Sequence, residues 1–135
     1  MEDTIFMKIV RKEVPATILY EDDATLAFLD IAPVALGHTL VIPKKPFVNI
    51  FDIDQETLAR VIETVRNVAP AVLKATGARG VHINSNHGEE AGQVVPHLHF
   101  HIIPRHARDG FEFWPKQDYS PEEMEVVAEK IRTSF

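Results

Sequence analysis

The spacing of hydrophobic residues in the first third of the chain predicts one short helix followed by three strands. Apolar residues at i, i+1, i+4 and i+5 from Ile5 suit one face of a short helix that Asp3 or Thr4 can cap. Two β-branched and apolar runs, 17–20 and 25–29, flank an acidic turn and predict an antiparallel hairpin. The run 38–42 predicts a third strand.

The remaining pattern predicts one long helix, two further strands and a last helix. Apolar positions repeat with a period of 3.6 over 54–75, which is typical of an amphipathic helix. Residues 80–85 and 97–103 read as strands, and Pro104 is expected to end the second one. Ser120 can cap a helix that runs to residue 132. The sequence therefore predicts an α+β fold: a five-stranded antiparallel sheet with one long central helix, a short N-terminal helix and a C-terminal helix.

Composition narrows the classes of protein that remain. A chain of 135 residues suits a single domain. Fourteen basic and 20 acidic residues give a net charge of −6, which argues against nucleic-acid binding. With no cysteine, thiolate metal sites and cysteine nucleophiles are excluded. No apolar run is long enough to span a membrane, and residues 1–12 do not read as a secretory signal, so a cytoplasmic location is expected.

Three histidines alternate with apolar residues along the last predicted strand. Because strand side chains alternate between faces, His97, His99 and His101 should share one face of the sheet. The other face should join the core and would carry Leu98, Phe100 and Ile102. Two chemistries use such a row: neutral imidazoles can bind zinc, or one imidazole can act as a nucleophile while its neighbours hold an oxyanion.

The segment before this row favours the second chemistry. Residues 86–93 combine glycines with side-chain amides, which suits a loop that brings main-chain N–H groups close to a phosphate. A zinc site would want carboxylates in fixed positions behind its ligands, whereas Glu89 and Glu90 fall in the loop itself. The three-histidine metalloenzyme remains an alternative.

The run from Ala91 to Ile103 closely resembles the signature of the histidine triad (HIT) family of nucleotide hydrolases and transferases. Residues 28–31 and 38–44 look like further blocks of that family, and residues 4–9 are similar to the opening of its Hint branch. The resemblance covers a core of residues 4–104 within one domain of residues 1–135. Residues 105–135 form a C-terminal extension outside it.

The resemblance implies a role for each matching residue. His99 matches the nucleophile that forms a nucleotidyl-histidine, His97 and His101 the flanking members that orient it and hydrogen-bond the phosphoryl oxygens, and His38 a fourth histidine that supports the row. Asp30 matches the carboxylate that holds the ribose. The phosphate would meet the amide of Asn86 and the main chain of Gly92, Gln93 and Val94. The apolar pocket for the base would be formed by Ile5, Phe6, Ile9, Phe28 and Ile31.

Two departures from the family pattern carry consequences. Val94 stands where the Hint and Fhit branches have a hydroxyl that is implicated in protonating the leaving group. Thr4 and Met7 replace two cysteines of a zinc site known in some bacterial relatives, so that site should be absent, and no metal or cofactor is expected. The other three histidines, His82, His87 and His106, are expected to be ordinary surface or strand residues.

The resulting hypothesis is a homodimeric hydrolase of the Hint type that binds a purine nucleotide. It would cleave purine nucleoside phosphoramidates or related nucleotidyl adducts at the α-phosphate. One alternative is a dinucleoside polyphosphate hydrolase of the Fhit type. Another is a nucleotide-binding interaction protein whose catalysis is incidental.

Overall fold

The computed structural model describes residues 3–135 and contains a five-stranded antiparallel sheet with three α-helices. The strands are β1 (Ile18–Glu21), β2 (Thr25–Leu29), β3 (Thr39–Pro43), β4 (Gly80–Asn84) and β5 (Phe100–Arg105). The helices are α1 (Ile5–Val10), α2 (Gln55–Thr76) and α3 (Pro121–Arg132), and a 3₁₀ turn spans Glu89–Ala91. The predicted α+β class is confirmed. Within residues 3–135, no helix combines the length and apolar character needed to cross a membrane.

Side-chain caps set where the first two helices begin. The Thr4 hydroxyl oxygen accepts a hydrogen bond from the Met7 N–H at 3.2 Å. The Asp54 carboxylate accepts one from the Thr57 N–H at 3.0 Å. Each cap satisfies a main-chain donor that has no partner inside its helix. Gly77 ends α2 in the left-handed conformation, at φ +72°, that glycine adopts without strain.

The sheet carries a different cluster of buried residues on each face. On one face α2 packs against a cluster made of Ala27, Val41, Val61, Val65, Val68, Ala69, Val72, Leu98 and Ile102. On the other face α1 packs against Leu26, Phe28, Leu40 and Ile42 through Phe6 and Ile9. The prediction that Leu98 and Ile102 point into a core is confirmed. The face that holds the histidines is also partly core.

The predicted limits of the last strand are wrong at both ends. The strand begins at Phe100, because the main chain just before it bonds to loops: the Leu98 N–H donates to the Phe47 carbonyl at 2.8 Å, and the Ser85 hydroxyl donates to the His99 carbonyl at 2.7 Å. It also continues through Pro104. Beyond Ile102, β5 pairs with β4 alone, and a strand with one neighbour tolerates a proline that lacks an N–H.

The order of the strands brings the last strand to the histidine of the third. The sheet runs β1-β2-β3-β5-β4, so β5 lies between β3 and β4 although it follows both in the chain. Thr39 pairs with Ile102, and Leu40 pairs with His101. His38, which comes directly before β3, is therefore held next to the histidine row.

The C-terminal extension leaves the sheet after Arg105 and ends in α3. This helix begins at a Ser120 cap, where the hydroxyl oxygen accepts a hydrogen bond from the Glu123 N–H at 3.1 Å. None of its residues is buried. Its apolar side chains, Met124, Val126, Val127 and Ile131, are more than half exposed.

Candidate active site

Three imidazoles form a contact chain where the start of β5 meets the end of the loop before β3, and a fourth, His97, joins it through the ring of Phe6. The ring centroids of His99 and His101 lie 5.0 Å apart, and those of His101 and His38 lie 5.2 Å apart. The Phe6 ring of α1 stands edge-on to His99 at 5.0 Å and to His97 at 6.0 Å. The fold therefore brings all four predicted histidines together on the α1 face.

Main-chain carbonyls fix the tautomers of the first two members of the row. One ring nitrogen of His97, Nε2, lies 2.8 Å from the Pro43 carbonyl oxygen, and His99 Nδ1 lies 2.7 Å from the His97 carbonyl oxygen. A carbonyl only accepts, so each of these ring nitrogens must carry a proton. In neutral His99 the lone pair then resides on Nε2, the atom that a nucleophile needs.

A main-chain N–H fixes the tautomers of the other two imidazoles, those of His38 and His101. The Val34 N–H donates to His38 Nδ1 at 3.1 Å, so neutral His38 carries its proton on Nε2. That Nε2 lies 2.9 Å from His101 Nδ1 and donates to it. His101 in turn keeps its proton on Nε2. The Val34 N–H therefore determines the tautomer of His101 as well as that of His38.

Burial keeps these imidazoles neutral. Relative exposure is 1% for His97, 3% for His38 and 7% for His99. Burial, which disfavours the charged form, is the main cause that lowers the pKa of all four rings below the ordinary value of 6.5. At neutral pH the His99 lone pair is therefore free.

A cavity of about 630 Å³ opens beside the row on the α1 face. All five residues predicted for the base pocket line it, as do Asp30, Asn86, Gly92, Val94, His99 and His101. His97, His38 and Gln93 do not line it. His97 is shut away behind Phe6, so the structure does not bring it to the position expected of a phosphoryl ligand. It orients His99 through its carbonyl instead.

Asp30 supplies the charge of the cavity wall. One of its carboxylate oxygens accepts the Ala32 N–H at 2.9 Å, and the other lies 3.6 Å from His38 Nε2. Within residues 3–135, the lining includes no lysine or arginine. A phosphate in this cavity would thus be bound by neutral donors, and Asp30 would remain for hydroxyl groups.

The loop that precedes the row is clamped through Gln93. Its side-chain oxygen accepts the Gly88 N–H at 2.9 Å, and its side-chain nitrogen donates to the Val48 carbonyl at 2.7 Å. Gly92 adopts φ +87°, where a side chain would be strained. Val94 is 88% exposed and offers no polar side-chain atom. The amide of Gln93 therefore shapes the loop, and only its main chain remains for a ligand.

The potential metal ligands that lie closest together are not the three histidines of the row. In the described part of the chain, the one group of three ligand atoms within 4.8 Å of one another belongs to Asp30, His38 and His101. A metal there would need the His38 Nε2 lone pair, but that nitrogen carries the proton because Nδ1 accepts the Val34 N–H. The donor set does not fit a metal ion.

Sequence reasoning missed several residues at the site. Part of the cavity wall comes from the segment after α1, namely Val14, Pro15 and Ala16, and from Leu40 and Val95. Only their apolar character signalled them.

The other three histidines lie outside the row. The ring of His82 packs on Phe111 at 4.6 Å, and His106 lines a separate cavity beside α2. His87 is half-buried, and its Nδ1 accepts a hydrogen bond from the Ile50 N–H at 3.0 Å.

Comparisons with known proteins match this chain to one family of proteins. The family model described as HIT domain matches residues 11–108. An adenosine 5′-monophosphoramidase of Schizosaccharomyces pombe is 40% identical over 133 residues, which cover 97% of this chain and 97% of that protein. An adenylylsulfatase of Arabidopsis thaliana is 41% identical over 107 residues, which cover 79% of this chain and 54% of that protein.

A solved structure gives the same result for the fold. The crystal structure of a HIT family member from Bacillus subtilis matches with a TM-score of 0.91 at 38% identity, covering 99% of this chain and 98% of that one. The sheet and its row of imidazoles define an α+β protein of the histidine triad class. The chain belongs to the HIT domain family.

Proposed function

We propose that the protein hydrolyses purine nucleoside phosphoramidates or related nucleotidyl adducts at the α-phosphate, through a nucleotidyl intermediate on His99. The observation that carries this proposal is the 2.7 Å contact between His99 Nδ1 and the His97 carbonyl, which leaves the Nε2 lone pair free. Names of relatives support it, since one is an adenosine 5′-monophosphoramidase and another an adenylylsulfatase.

Each step of the proposed reaction uses a side chain that already lies at the site. His99 Nε2 forms a bond to phosphorus, the bond from phosphorus to the leaving atom breaks, and the leaving group departs with the electron pair. The intermediate imidazolium still donates from Nδ1 to the His97 carbonyl, a bond that strengthens as the ring becomes positive. His101 Nε2–H is free to donate to a phosphoryl oxygen. Water then attacks phosphorus and releases the nucleotide from His99.

The cavity supports a nucleoside monophosphate as the bound part. Its volume of about 630 Å³ suits a small ligand. Phe6 and Phe28, whose rings meet edge to face at 5.6 Å, offer apolar area to a base. The lack of lysine and arginine in the described wall favours an adduct of one phosphate over a dinucleoside polyphosphate. The homodimer implied by the resemblance stays a prediction, and the exposed apolar side chains of α3 support it.

The experiment measures release of AMP from adenosine 5′-phosphoramidate and from a diadenosine polyphosphate, for the wild type, His99→Ala and the control His82→Ala. We expect His99→Ala to lose turnover by about three orders of magnitude or more, because the nucleophile is removed. His82→Ala should match the wild type. Acid quenching should trap one adenylyl group on His99, to be located by mass spectrometry.

The other outcomes select the alternatives. Full turnover by His99→Ala would show that the nucleophile is wrongly assigned. Faster cleavage of the polyphosphate would favour the Fhit type of hydrolase. Tight AMP binding without turnover of either substrate would favour an interaction protein. Stoichiometric zinc that is lost on substituting the histidines, measured alongside, would favour the metalloenzyme.

A further inference from the structure

The main chain that carries the proposed nucleophile lies just outside the sheet. β4 pairs with β5 as far as Asn84, which lies opposite His101, and β5 begins at Phe100. His99 therefore comes directly before the ladder of hydrogen bonds that would otherwise fix its main chain. Because a loop is held less firmly than a paired strand, the contacts that replace the ladder decide how precisely the His99 ring is placed.

The main chain is held by a hydrogen bond on each side of the His99 Cα atom. The Leu98 N–H, on one side, donates to the Phe47 carbonyl at 2.8 Å. On the other side the Ser85 hydroxyl donates to the His99 carbonyl at 2.7 Å. A carbonyl only accepts, so the hydroxyl proton of Ser85 must point at it. The second support of the nucleophile thus depends on one side-chain hydroxyl.

Ser85 also belongs to the segment that carries Asn86. Asn86 lines the cavity of about 630 Å³ together with His99 and Gly92. The Asn86 amide nitrogen lies 3.7 Å from the point that a Cβ atom on Gly92 would occupy, so the amide and the Gly92 turn are close together. The Ser85 hydroxyl therefore ties the main chain next to Asn86 to the main chain of His99, beyond the point where the two strands stop pairing.

Ser85 itself is placed to act through these neighbours and not on a ligand. Its side chain is half-buried and does not line the cavity. Its hydroxyl proton is already used on the His99 carbonyl. The two residues that it joins do line the cavity, one with an amide that suits a phosphate and the other with the Nε2 lone pair. The rate of attack on phosphorus depends steeply on the alignment of the reacting atoms, so the distance between these two groups matters.

The bond from Ser85 and the bond made by the His99 ring have separate effects. The ring Nδ1 donates to the His97 carbonyl at 2.7 Å, which fixes the rotation and the tautomer of the imidazole. That bond does not fix where the residue stands relative to Asn86. The bond from Ser85 to the His99 carbonyl does, because it joins the two segments directly.

We propose that Ser85 is a positioning residue whose hydroxyl sets the distance between Asn86 and the His99 ring. A phosphate held by the Asn86 amide then meets His99 Nε2 in line with the bond that breaks. The inference rests on the proposed function, in which His99 attacks the α-phosphate.

The test compares Ser85→Thr with Ser85→Val. Both new side chains are branched at Cβ and nearly equal in size, and threonine keeps the hydroxyl whereas valine does not. Ser85→Ala removes the hydroxyl without adding an atom, which covers the case in which a branched side chain is not tolerated. Thr76→Val is the matched control, because the Thr76 hydroxyl donates to the Val72 carbonyl at 2.8 Å in α2, on the opposite face of the sheet.

The first readout is AMP release from adenosine 5′-phosphoramidate, per folded molecule. We expect Ser85→Val and Ser85→Ala to lower kcat by about 10- to 100-fold, because the nucleophile loses its alignment. KM should change by less than about twofold, since the cavity that would hold the nucleoside keeps its lining. Ser85→Thr should recover most of kcat, and Thr76→Val should match the wild type although it loses a hydrogen bond of the same kind.

The second readout does not depend on turnover. NMR relaxation dispersion follows the Cε1–H signal of His99 in the complex with AMP, and it detects motion on the microsecond to millisecond timescale. We expect exchange broadening of this signal in Ser85→Val. The signal should stay sharp in the wild type and in Ser85→Thr, where the hydroxyl holds the His99 carbonyl.

The combination of the two readouts separates the possible results. Equal kcat and equally sharp signals for Ser85→Val and Ser85→Thr would overturn the proposal. An equal fall in kcat for Thr76→Val would also overturn it, because the effect would then be a general loss of stability. If the wild type releases no AMP, the proposed function fails. In that case broadening confined to the variants without a hydroxyl would still support the positioning of His99 by Ser85, and equally sharp signals would exclude it.

Discussion

The two faces of the sheet bury side chains to a similar degree and use them differently. On the α2 face the buried hydroxyls of Thr25 and Thr64 bond to each other at 2.7 Å, which completes a core. On the α1 face, His97 and His99 each use one ring nitrogen on a main-chain carbonyl and leave the other without a proton. Burial alone therefore does not distinguish a core from a reactive site. A reactive site differs from a core because some of its buried polar atoms keep hydrogen-bonding capacity that the protein itself does not use.

The largest effect on stability should come from a substitution that leaves a cavity in the core between the sheet and α2. Ile102 is fully buried in the cluster beneath α2. We expect Ile102→Ala to lower the free energy of unfolding by about 2–5 kcal/mol, measured by denaturant titration, because it leaves a cavity. The rate per folded molecule should change little, since the side chain points away from the site.

Ile131→Ala in α3 is the matched control for this substitution. Its side chain is 56% exposed, so the change should stay within about 0.5 kcal/mol. If Ile102→Ala costs no more than the control, the α2 face does not carry the stability assigned to it.

A smaller effect should come from acidifying the α1 face. Burial lowers the pKa of the four imidazoles on this face, those of His38, His97, His99 and His101, below 6.5 in the folded protein. Below pH 6.5 the unfolded chain then binds more protons than the folded one, so the free energy of unfolding falls as the pH falls. Each histidine contributes at most about 1.4 kcal/mol per pH unit.

Urea titrations at pH 7.5, 6.5 and 5.5 measure this dependence. His97→Gln removes one of the four imidazoles and should make the dependence shallower, while Ile102→Ala should lower the free energy of unfolding equally at the three pH values. A free energy of unfolding that stays constant from pH 6.5 to 5.5 would contradict the burial of neutral imidazoles on this face.

The smallest effect should come from the cap of α1, the helix that closes the site. Thr4→Val removes the acceptor for the Met7 N–H and should cost about 1 kcal/mol. Thr4→Ser keeps the acceptor and should restore most of this. Because α1 carries Phe6 against His97 and His99, KM for the nucleotide should rise with the loss of the cap. A helix that tolerates Thr4→Val with no change in the midpoint of thermal unfolding would not depend on its cap.

Local chemistry made much of the fold predictable. Thr4 and Ser120 were expected to cap helices, and each does so because a cap depends on a few neighbouring residues. The limits of β5 were not predictable in the same way. They depend on where β3 stops pairing and on Phe47 and Ser85, which are distant in the chain.

The sequence by itself determined the elements, the alternation of His97, His99 and His101, and the resemblance to the family, because these depend on residue type and spacing. Only the tertiary structure decided which nitrogen of each imidazole carries the proton. For two of them that choice is made by main-chain groups far along the chain, namely the Pro43 carbonyl, 54 positions from His97, and the Ile50 N–H, 37 positions from His87. Residue type gives an imidazole its two nitrogens, and the partner that folding brings to one of them settles what the other can do.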